Sequence, residues 1–104
     1  MTERYGLHGS LRAKRGRGDA LAELLLEAAA ALNSNTDCML YLVSRSPDDN
    51  DVVLVTEVWT TREAHDSSLQ DEAVKALIQR GMPLIVDMPT STEFLPAGGK
   101  GLTA

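Results

Sequence analysis

Hydrophobic and polar positions follow two different periods along this chain. Over Tyr5–Ala13 they alternate with a period of two, which predicts a β-strand with two different faces. Over Asp19–Leu32, leucines and alanines recur at steps of three and four residues, with acidic residues on the opposite side. This second pattern predicts an amphipathic helix, with Gly18 or Asp19 as its N-terminal cap.

Two later segments, Cys38–Ser46 and Asp51–Thr60, are rich in β-branched and aliphatic residues, and the turn sequence PDDN at Pro47–Asn50 joins them. Together they predict a β-hairpin. Both segments are apolar on both faces over most of their length, which is typical of a sheet that is covered on both sides. A chain of 104 residues has helices for one side only, so the second side needs another cover.

The segment after the hairpin predicts a helix that starts directly after Trp59. Thr60–Glu63 reads TTRE and matches a capping box, in which the Thr hydroxyl accepts a hydrogen bond from the third helical N–H. A second short helix is predicted in the sequence EAVKALIQRG, with Gly81 as its stop signal. Its predicted buried side consists of Ala73, Leu77 and Ile78.

The end of the chain predicts one more strand, at Thr90–Leu95, while the apolar segment Leu84–Met88 between two prolines receives no assignment. The order of elements is then βαββααβ. This order predicts an α+β, ferredoxin-like fold, in which a four-stranded antiparallel sheet carries its helices on one face. We expect a single domain over residues 1–104, with its core at about residues 4–96 and a flexible tail at 97–104.

Composition excludes several classes of function. A net charge of −5 argues against nucleic-acid binding, and no apolar stretch approaches the length of a membrane span. Cys38 is the one cysteine, so an internal disulfide and a cysteine-based metal site are both excluded within one chain. The short basic cluster at Arg12–Gly18 is interpreted as a solvated connection, with a patch for a phosphate or another acidic ligand as the alternative. We therefore expect a cytoplasmic protein without nucleic-acid or membrane partners.

Several segments in order resemble the antibiotic biosynthesis monooxygenase (ABM) family, over roughly residues 5–80. They are SLRAKRGRGDAL, DCMLYLVSR, an aspartate-rich turn, and VTEVWTTREAH, of which the E-x-W sequence before a short-loop helix is the most telling. The resemblance implies a dimeric α/β barrel, in which two chains pack sheet against sheet. A homodimer would supply the cover that the second sheet face needs.

The family resemblance also implies an activity and a pocket between the sheet and the helices. Family enzymes oxidise small phenolic or quinol-like substrates with O₂ and need no metal or flavin. The substrate is deprotonated, and its anion passes an electron directly to O₂. We therefore expect a cofactor-independent monooxygenase with no metal site. The alternatives are a dimeric domain that only binds a small apolar ligand or has a structural role, and an isomerase or decarboxylase of the same barrel group.

Trp59 and Glu57 are two residues apart on a predicted strand, so they share a face. The resemblance implies that the Trp59 indole forms a wall of the pocket and donates its N–H to the substrate oxygen, with Glu57 as a substrate-binding residue. The alternative is that Trp59 is the largest core residue and Glu57 reaches solvent. Tyr41 is a further candidate for binding a substrate oxygen, or a residue of the core or dimer interface.

Two histidines are candidate catalytic groups, because the imidazole titrates near neutral pH and can act as a base. The family has a polar residue on the first strand facing the pocket, and His8 or Ser10 would take that place here. His65 lies on the helix after Trp59, three residues before Ser68. Ser68 stands where many family members have a histidine, and it is a candidate substrate-binding residue. Haem binding is not expected, since haem-degrading relatives need that later histidine. Each candidate has the alternative of a surface or interface role.

Overall fold

The structure of the chain, a computed structural model that describes residues 3–102, is a four-stranded antiparallel sheet with α-helices packed on one face. The strands are β1 (Tyr5–Ala13), β2 (Cys38–Arg45), β3 (Val52–Trp59) and β4 (Ile85–Phe94). The helices are α1 (Gly18–Ala31), α2 (Arg62–Ser68) and α3 (Glu72–Gly81), with short 3₁₀ turns at Leu32–Ser34 and Met82–Leu84.

The order of the strands in the sheet is β2-β3-β1-β4, and every pair is antiparallel. The first and third strands therefore occupy the centre, and β2 and β4 form the edges. This arrangement confirms the predicted α+β, ferredoxin-like fold. None of the helices within residues 3–102 is long and apolar enough to cross a membrane.

Successive side chains of the central strands point to opposite faces of the sheet. Val53 on β3 lies on the helix side, where it packs with Ala13, Leu21 and Ala22 in the most buried part of the core. Leu21 and Val53 are 1% and 0% exposed, respectively. The helices thus cover one face, and the core lies between that face and α1.

The N-terminus of α1 is held by the hairpin rather than by a cap of its own. The side chain of Asp51 accepts hydrogen bonds from the backbone N–H groups of Gly16 and Gly18, at 3.1 and 3.2 Å. Helix α1 begins at Gly18, after Arg17, whose side chain makes no capping bond. A β-carbon at Gly18 would collide with the backbone of Asn50, so only glycine permits this close approach. The predicted cap at Gly18 or Asp19 is therefore wrong.

The predicted capping box is displaced by one residue. The Thr61 hydroxyl, not that of Thr60, caps α2 by accepting from the backbone N–H of Ala64 at 3.0 Å. The Thr60 hydroxyl donates to the Asp37 side chain at 2.9 Å. Either of the two adjacent threonines could cap the helix. The hydrogen bond to Asp37, in the loop before β2, occupies the Thr60 hydroxyl, and Thr61 forms the cap.

The last strand begins at Ile85, earlier than the predicted Thr90, and it contains Pro89. Proline is tolerated because β4 is an edge strand and its pairing with β1 shifts register between Ser10 and Arg12, opposite the proline. Ile85 packs against the core from the helix side. A strand that carries a bulge has no regular alternation, which is why the sequence pattern missed it.

The buried side of α3 differs from the prediction at one position. Ala73 is exposed, whereas Leu77 is partly buried and Ile78, although 44% exposed, lines the cavity described below. Val74 lies on the cavity side in place of Ala73. The inward stripe therefore runs through Val74, Leu77 and Ile78, at the three- and four-residue steps of an amphipathic helix.

Candidate functional site

A cavity of about 200 Å³ lies between the helix-covered face of the sheet and the helices. All four strands and all three helices contribute to its wall. Most of the lining side chains are aliphatic, and the leucines among them are Leu11, Leu21, Leu24, Leu25, Leu32, Leu69 and Leu77. An apolar cavity with a few polar groups is the usual form of a small-molecule site.

Glu57, Trp59 and His65 form the polar group of this cavity. The Trp59 indole Nε1–H donates to Glu57 Oε1 at 3.0 Å, and His65 Nε2 lies 3.9 Å from the same oxygen. The Glu57 and His65 side chains are only 15% and 12% exposed. A carboxyl group, an imidazole and an indole N–H thus meet inside a mostly aliphatic wall.

The local fold explains how these three residues meet. Glu57 and Trp59 are two apart on β3, so both point toward the helices. Thr61 caps α2 and places His65 one turn into that helix, where its backbone N–H donates to the Thr61 carbonyl. The His65 ring lies edge-on to the Trp59 ring, with centroids 5.7 Å apart.

Tyr5 supports His65 from the first strand. Its ring is the cross-strand neighbour of Trp59, and its centroid lies 5.1 Å from that of His65. The Tyr5 hydroxyl donates to Glu93 at 2.7 Å, and burial together with this hydrogen bond raises the pKa of Tyr5 to about 12. Tyr5 is therefore a neutral, fixed wall for the imidazole. Sequence alone did not identify it, because strand pairing cannot be read from a single chain's pattern.

The two nitrogens of the His65 ring face two carboxyl groups. Nδ1 lies 3.0 Å from Asp66 Oδ1, and Asp66 is exposed at 61%, whereas Nε2 faces the buried Glu57. The imidazole thus lies within hydrogen-bonding distance of the outer carboxyl group and faces the inner one at a longer distance. The arrangement links the cavity to solvent through a single side chain.

Burial raises the pKa of Glu57 above its usual range, because the apolar wall disfavours the carboxylate. The hydrogen bond from Trp59 and the nearby His65 lower it again in part. Burial also raises the pKa of Tyr41, with the charge of Glu57 as a second cause. Tyr41 is the cross-strand neighbour of Glu57 and lines the same cavity. A carboxyl group with a raised pKa in a cleft is a common feature of catalytic sites.

Ser68 also lies in the cavity wall, at the end of α2. Its hydroxyl donates to the backbone carbonyl of His65 at 2.6 Å, and its side chain is buried. The hydrogen bond holds the last turn of α2 and so helps to fix His65. The structure thus brings Trp59, Glu57, His65, Tyr41 and Ser68 together around one cavity.

The structure does not bring His8 to this cavity. His8 and Thr56 are partners on the central strands, and their side chains meet on the opposite face of the sheet, with Nδ1 and Oγ1 2.8 Å apart. The Ser10 hydroxyl shares a hydrogen bond with that of Thr90 at 2.8 Å and lies outside the wall of the main cavity. The expectation that either residue faces the pocket assumed that the polar face of β1 is the pocket face. The cavity lies on the other face, beside Leu11.

The hydrogen-bond partner of the Trp59 N–H also differs from the expected one. The resemblance assigns this group to a substrate oxygen, whereas in this structure it donates to Glu57. Trp59 is only 1% exposed, so it serves as core residue and as cavity wall at once. Within residues 3–102, no group of three or more His, Cys, Asp and Glu side chains is placed to hold a metal ion.

The chain matches a known protein family and several solved structures. The model of the antibiotic biosynthesis monooxygenase family matches residues 4–80. A solved structure from Chloroflexus aurantiacus, named as a candidate antibiotic biosynthesis monooxygenase, is similar over 96% of this chain and 99% of its own, with 39% identity and a TM-score of 0.89. No curated protein matches the chain.

Two further solved structures share the fold. One, from Deinococcus radiodurans, also carries the name of a candidate antibiotic biosynthesis monooxygenase and is 26% identical, with a TM-score of 0.78 over 96% of this chain and 99% of its own. The other, the protein PA3566 of Pseudomonas aeruginosa, is 16% identical, with a TM-score of 0.82 over 94% of this chain and 98% of its own. At that identity, the second likeness concerns the fold alone.

Proposed function

The chain belongs to the antibiotic biosynthesis monooxygenase family, and from this premise we propose that it oxidises a small hydroxyaromatic or quinol-like substrate with O₂ and without a cofactor. The observation that carries the proposal is the buried Glu57 carboxyl group. It lies in an aliphatic cavity beside His65, and burial raises its pKa. A base of this kind can remove the proton of a phenolic hydroxyl near neutral pH.

The reaction balances with electrons from the substrate alone. Glu57 accepts the hydroxyl proton, and the aromatic anion passes one electron to O₂. The resulting radical pair then forms a carbon–oxygen bond at the ring. Loss of water leaves one oxygen atom on the product, so that a hydroquinone and O₂ give a hydroxyquinone and water. The aliphatic wall keeps bulk water away from the radical pair.

The other polar side chains have supporting roles in this proposal. His65 lies between Glu57 and the exposed Asp66, and it would return the proton to solvent. Trp59 orients the Glu57 carboxyl group through its indole N–H. Tyr41 would donate its hydroxyl to a substrate oxygen, since burial keeps the phenol neutral. The proposal gives no role to His8 or Ser10.

We expect the protein to raise O₂ consumption by 2-methyl-1,4-naphthohydroquinone about tenfold or more above the rate without protein. Autoxidation of a hydroquinone yields the quinone and hydrogen peroxide. The proposed reaction instead places an oxygen atom from O₂ on the ring, which mass spectrometry with ¹⁸O₂ detects. Consumption equal to the protein-free control, across hydroquinones and phenols that bind in the cavity, would refute the proposed activity.

The same cavity favours a second candidate function, binding of a small apolar ligand without chemistry. Its wall is aliphatic apart from one polar cluster, and apolar burial alone can hold a ligand there. In that case Glu57 would bind the ligand rather than take its proton. Ligand affinity without ¹⁸O incorporation would favour this function.

We also propose that two copies pack sheet against sheet through the face opposite the helices. Pairing in the sheet places Leu42, Thr56 and His8 in one row on this face, and Leu42 is 50% exposed. The ring of Phe94 lies over Gly6 on the same face. Aliphatic and aromatic side chains of this kind are expected at a stable homodimer interface.

Sedimentation at micromolar concentration tests the homodimer. We expect the wild-type chain to sediment as a dimer and Leu42→Glu as a monomer, because a carboxylate on each copy would be buried at the interface. Leu26→Glu is the matched control, since Leu26 is 55% exposed on α1, away from the sheet, and should leave the dimer intact. A wild-type monomer at this concentration would contradict the proposal.

A further inference from the structure

The cavity has a polar end and an apolar end, which the register of the sheet places apart. Glu57 pairs with Leu7 of β1, whereas Leu11 marks the other end of the cavity on the same strand. Four residues of a strand span about 13 Å. Ile85 pairs with Ala13 and lies still further from Glu57. A ligand in this cavity therefore meets hydrogen-bonding groups at one end and only aliphatic groups at the other.

The volume limits the part of a ligand that the cavity encloses. The cavity measures about 200 Å³. An engineered apolar cavity of about 150 Å³ in another protein binds one benzene molecule. The enclosed part of the ligand is thus one aromatic ring, or two small fused rings, with its hydroxyl group toward Glu57.

The apolar end opens to solvent through large apolar side chains. Ile78, Met82 and Met88 line the cavity and are nevertheless 44%, 55% and 58% exposed. Met82 directly follows α3, three residues before Ile85, and Met88 lies on β4 beside the register shift, so both stand at the apolar end of the cavity. Unbranched methionine side chains adapt to ligands of differing shape. We name Ile78, Met82 and Met88 the apolar mouth.

We propose that the ligand of this site is a hydroxyaromatic ring with an apolar side chain, whose ring occupies the cavity and whose side chain leaves through the apolar mouth. The proposal rests on the function proposed above, since it concerns the same cavity. It assigns a substrate class, an alkyl- or prenyl-substituted phenol or hydroquinone. The side chain would cover the exposed methionines and remove their apolar surface from water.

Trp59 provides a direct measure of binding, because it is the one tryptophan of the chain and forms part of the cavity wall. The probes are phenol, 4-propylphenol and 4-hexylphenol, each titrated against the Trp59 fluorescence. We expect affinity to rise about three- to fourfold for each added methylene that contacts the mouth. Equal affinities for phenol and 4-hexylphenol would overturn the proposal.

Variants of the mouth separate a specific contact from general hydrophobic partitioning. Met82→Gln and Met88→Gln should reduce the gain per methylene to about twofold or less, measured for each variant relative to its own affinity for phenol. Leu26→Gln is the matched control, because Leu26 is 55% exposed and lies outside the cavity wall, and it should retain the full gain. A gain that persists in both methionine variants refutes the proposed exit. If these variants change the oligomeric state of the protein but keep the gain in affinity per methylene, the proposed exit is refuted as well.

The binding readout keeps this proposal separate from the proposed activity. Chain-length dependence that disappears in the methionine variants supports the ligand class, even where no ¹⁸O enters the ligand. In that case only the monooxygenase function fails. Conversely, oxidation of 2-methyl-1,4-naphthohydroquinone without any gain from longer side chains supports the activity and overturns the ligand class.

Discussion

We expect Glu57→Gln to lower the rate of hydroquinone oxidation about 10²- to 10⁴-fold, the usual contribution of a general base. Glutamine keeps the size of the side chain and an oxygen that accepts the Trp59 N–H, so the cavity should still bind phenol. The rate and the binding constant are measured on the same preparation, by O₂ uptake and by Trp59 fluorescence. A combination of lost rate and retained binding identifies Glu57 as the proton acceptor.

The control for this variant is Glu63→Gln. Glu63 lies in the first turn of α2, exposed and outside the wall of the main cavity, so its replacement should leave both rate and binding unchanged. If Glu57→Gln oxidises the hydroquinone within about threefold of the wild-type rate, another group takes the proton. His65 would then be the next residue to replace.

The raised pKa of Glu57 also predicts opposite pH dependences of rate and stability. The ionised carboxylate is the active base, so the rate should rise with pH, with a midpoint above the ordinary range of a glutamate. The apolar wall disfavours the same ionised form. The free energy of unfolding therefore loses the contribution of Glu57 as pH rises through its raised pKa. Urea unfolding should show Glu57→Gln gaining stability relative to wild type between acid and neutral pH.

The fold was largely predictable because its strands and helices keep regular periods. β1 follows the alternation and α1 the three- to four-residue spacing on which such predictions depend, and the hairpin is marked by its β-branched segments and the turn between them. β4 departs from them, since a register shift and Pro89 interrupt its alternation. The cap of α2 was misplaced by one residue, because Thr60 and Thr61 are chemically equivalent and only tertiary contacts distinguish them.

The site was predictable only as far as local geometry determines it. Glu57 and Trp59 share a face because they are two apart on one strand, and the structure places both in the cavity wall. His8 was a pocket candidate because the family resemblance implies a polar residue on this strand facing the pocket, but one sequence does not tell which face of the strand the helices cover. The contact of Tyr5 with His65 depends on the pairing of distant strands, which one sequence does not reveal.

Replacing Trp59 with alanine should have the largest effect on stability. Trp59 is 1% exposed and joins β3 to His65 of α2 across the cavity. Truncation of a buried tryptophan to alanine costs about 3–5 kcal/mol. Whole domains have stabilities of about 5–15 kcal/mol, so this one substitution should remove a large share of the free energy of unfolding. Urea unfolding followed by far-ultraviolet circular dichroism measures the loss, because no other tryptophan remains.

Trp59→Phe separates the packing of the indole from its hydrogen bond. Phenylalanine retains most of the apolar contact, so the variant should fold and lose less stability than Trp59→Ala. It removes the N–H that lowers the pKa of Glu57, and that pKa should therefore rise further. The midpoint of the pH–rate curve should move to higher pH for the same reason. An unchanged midpoint in a folded Trp59→Phe variant would show that Trp59 acts on the reaction through packing alone.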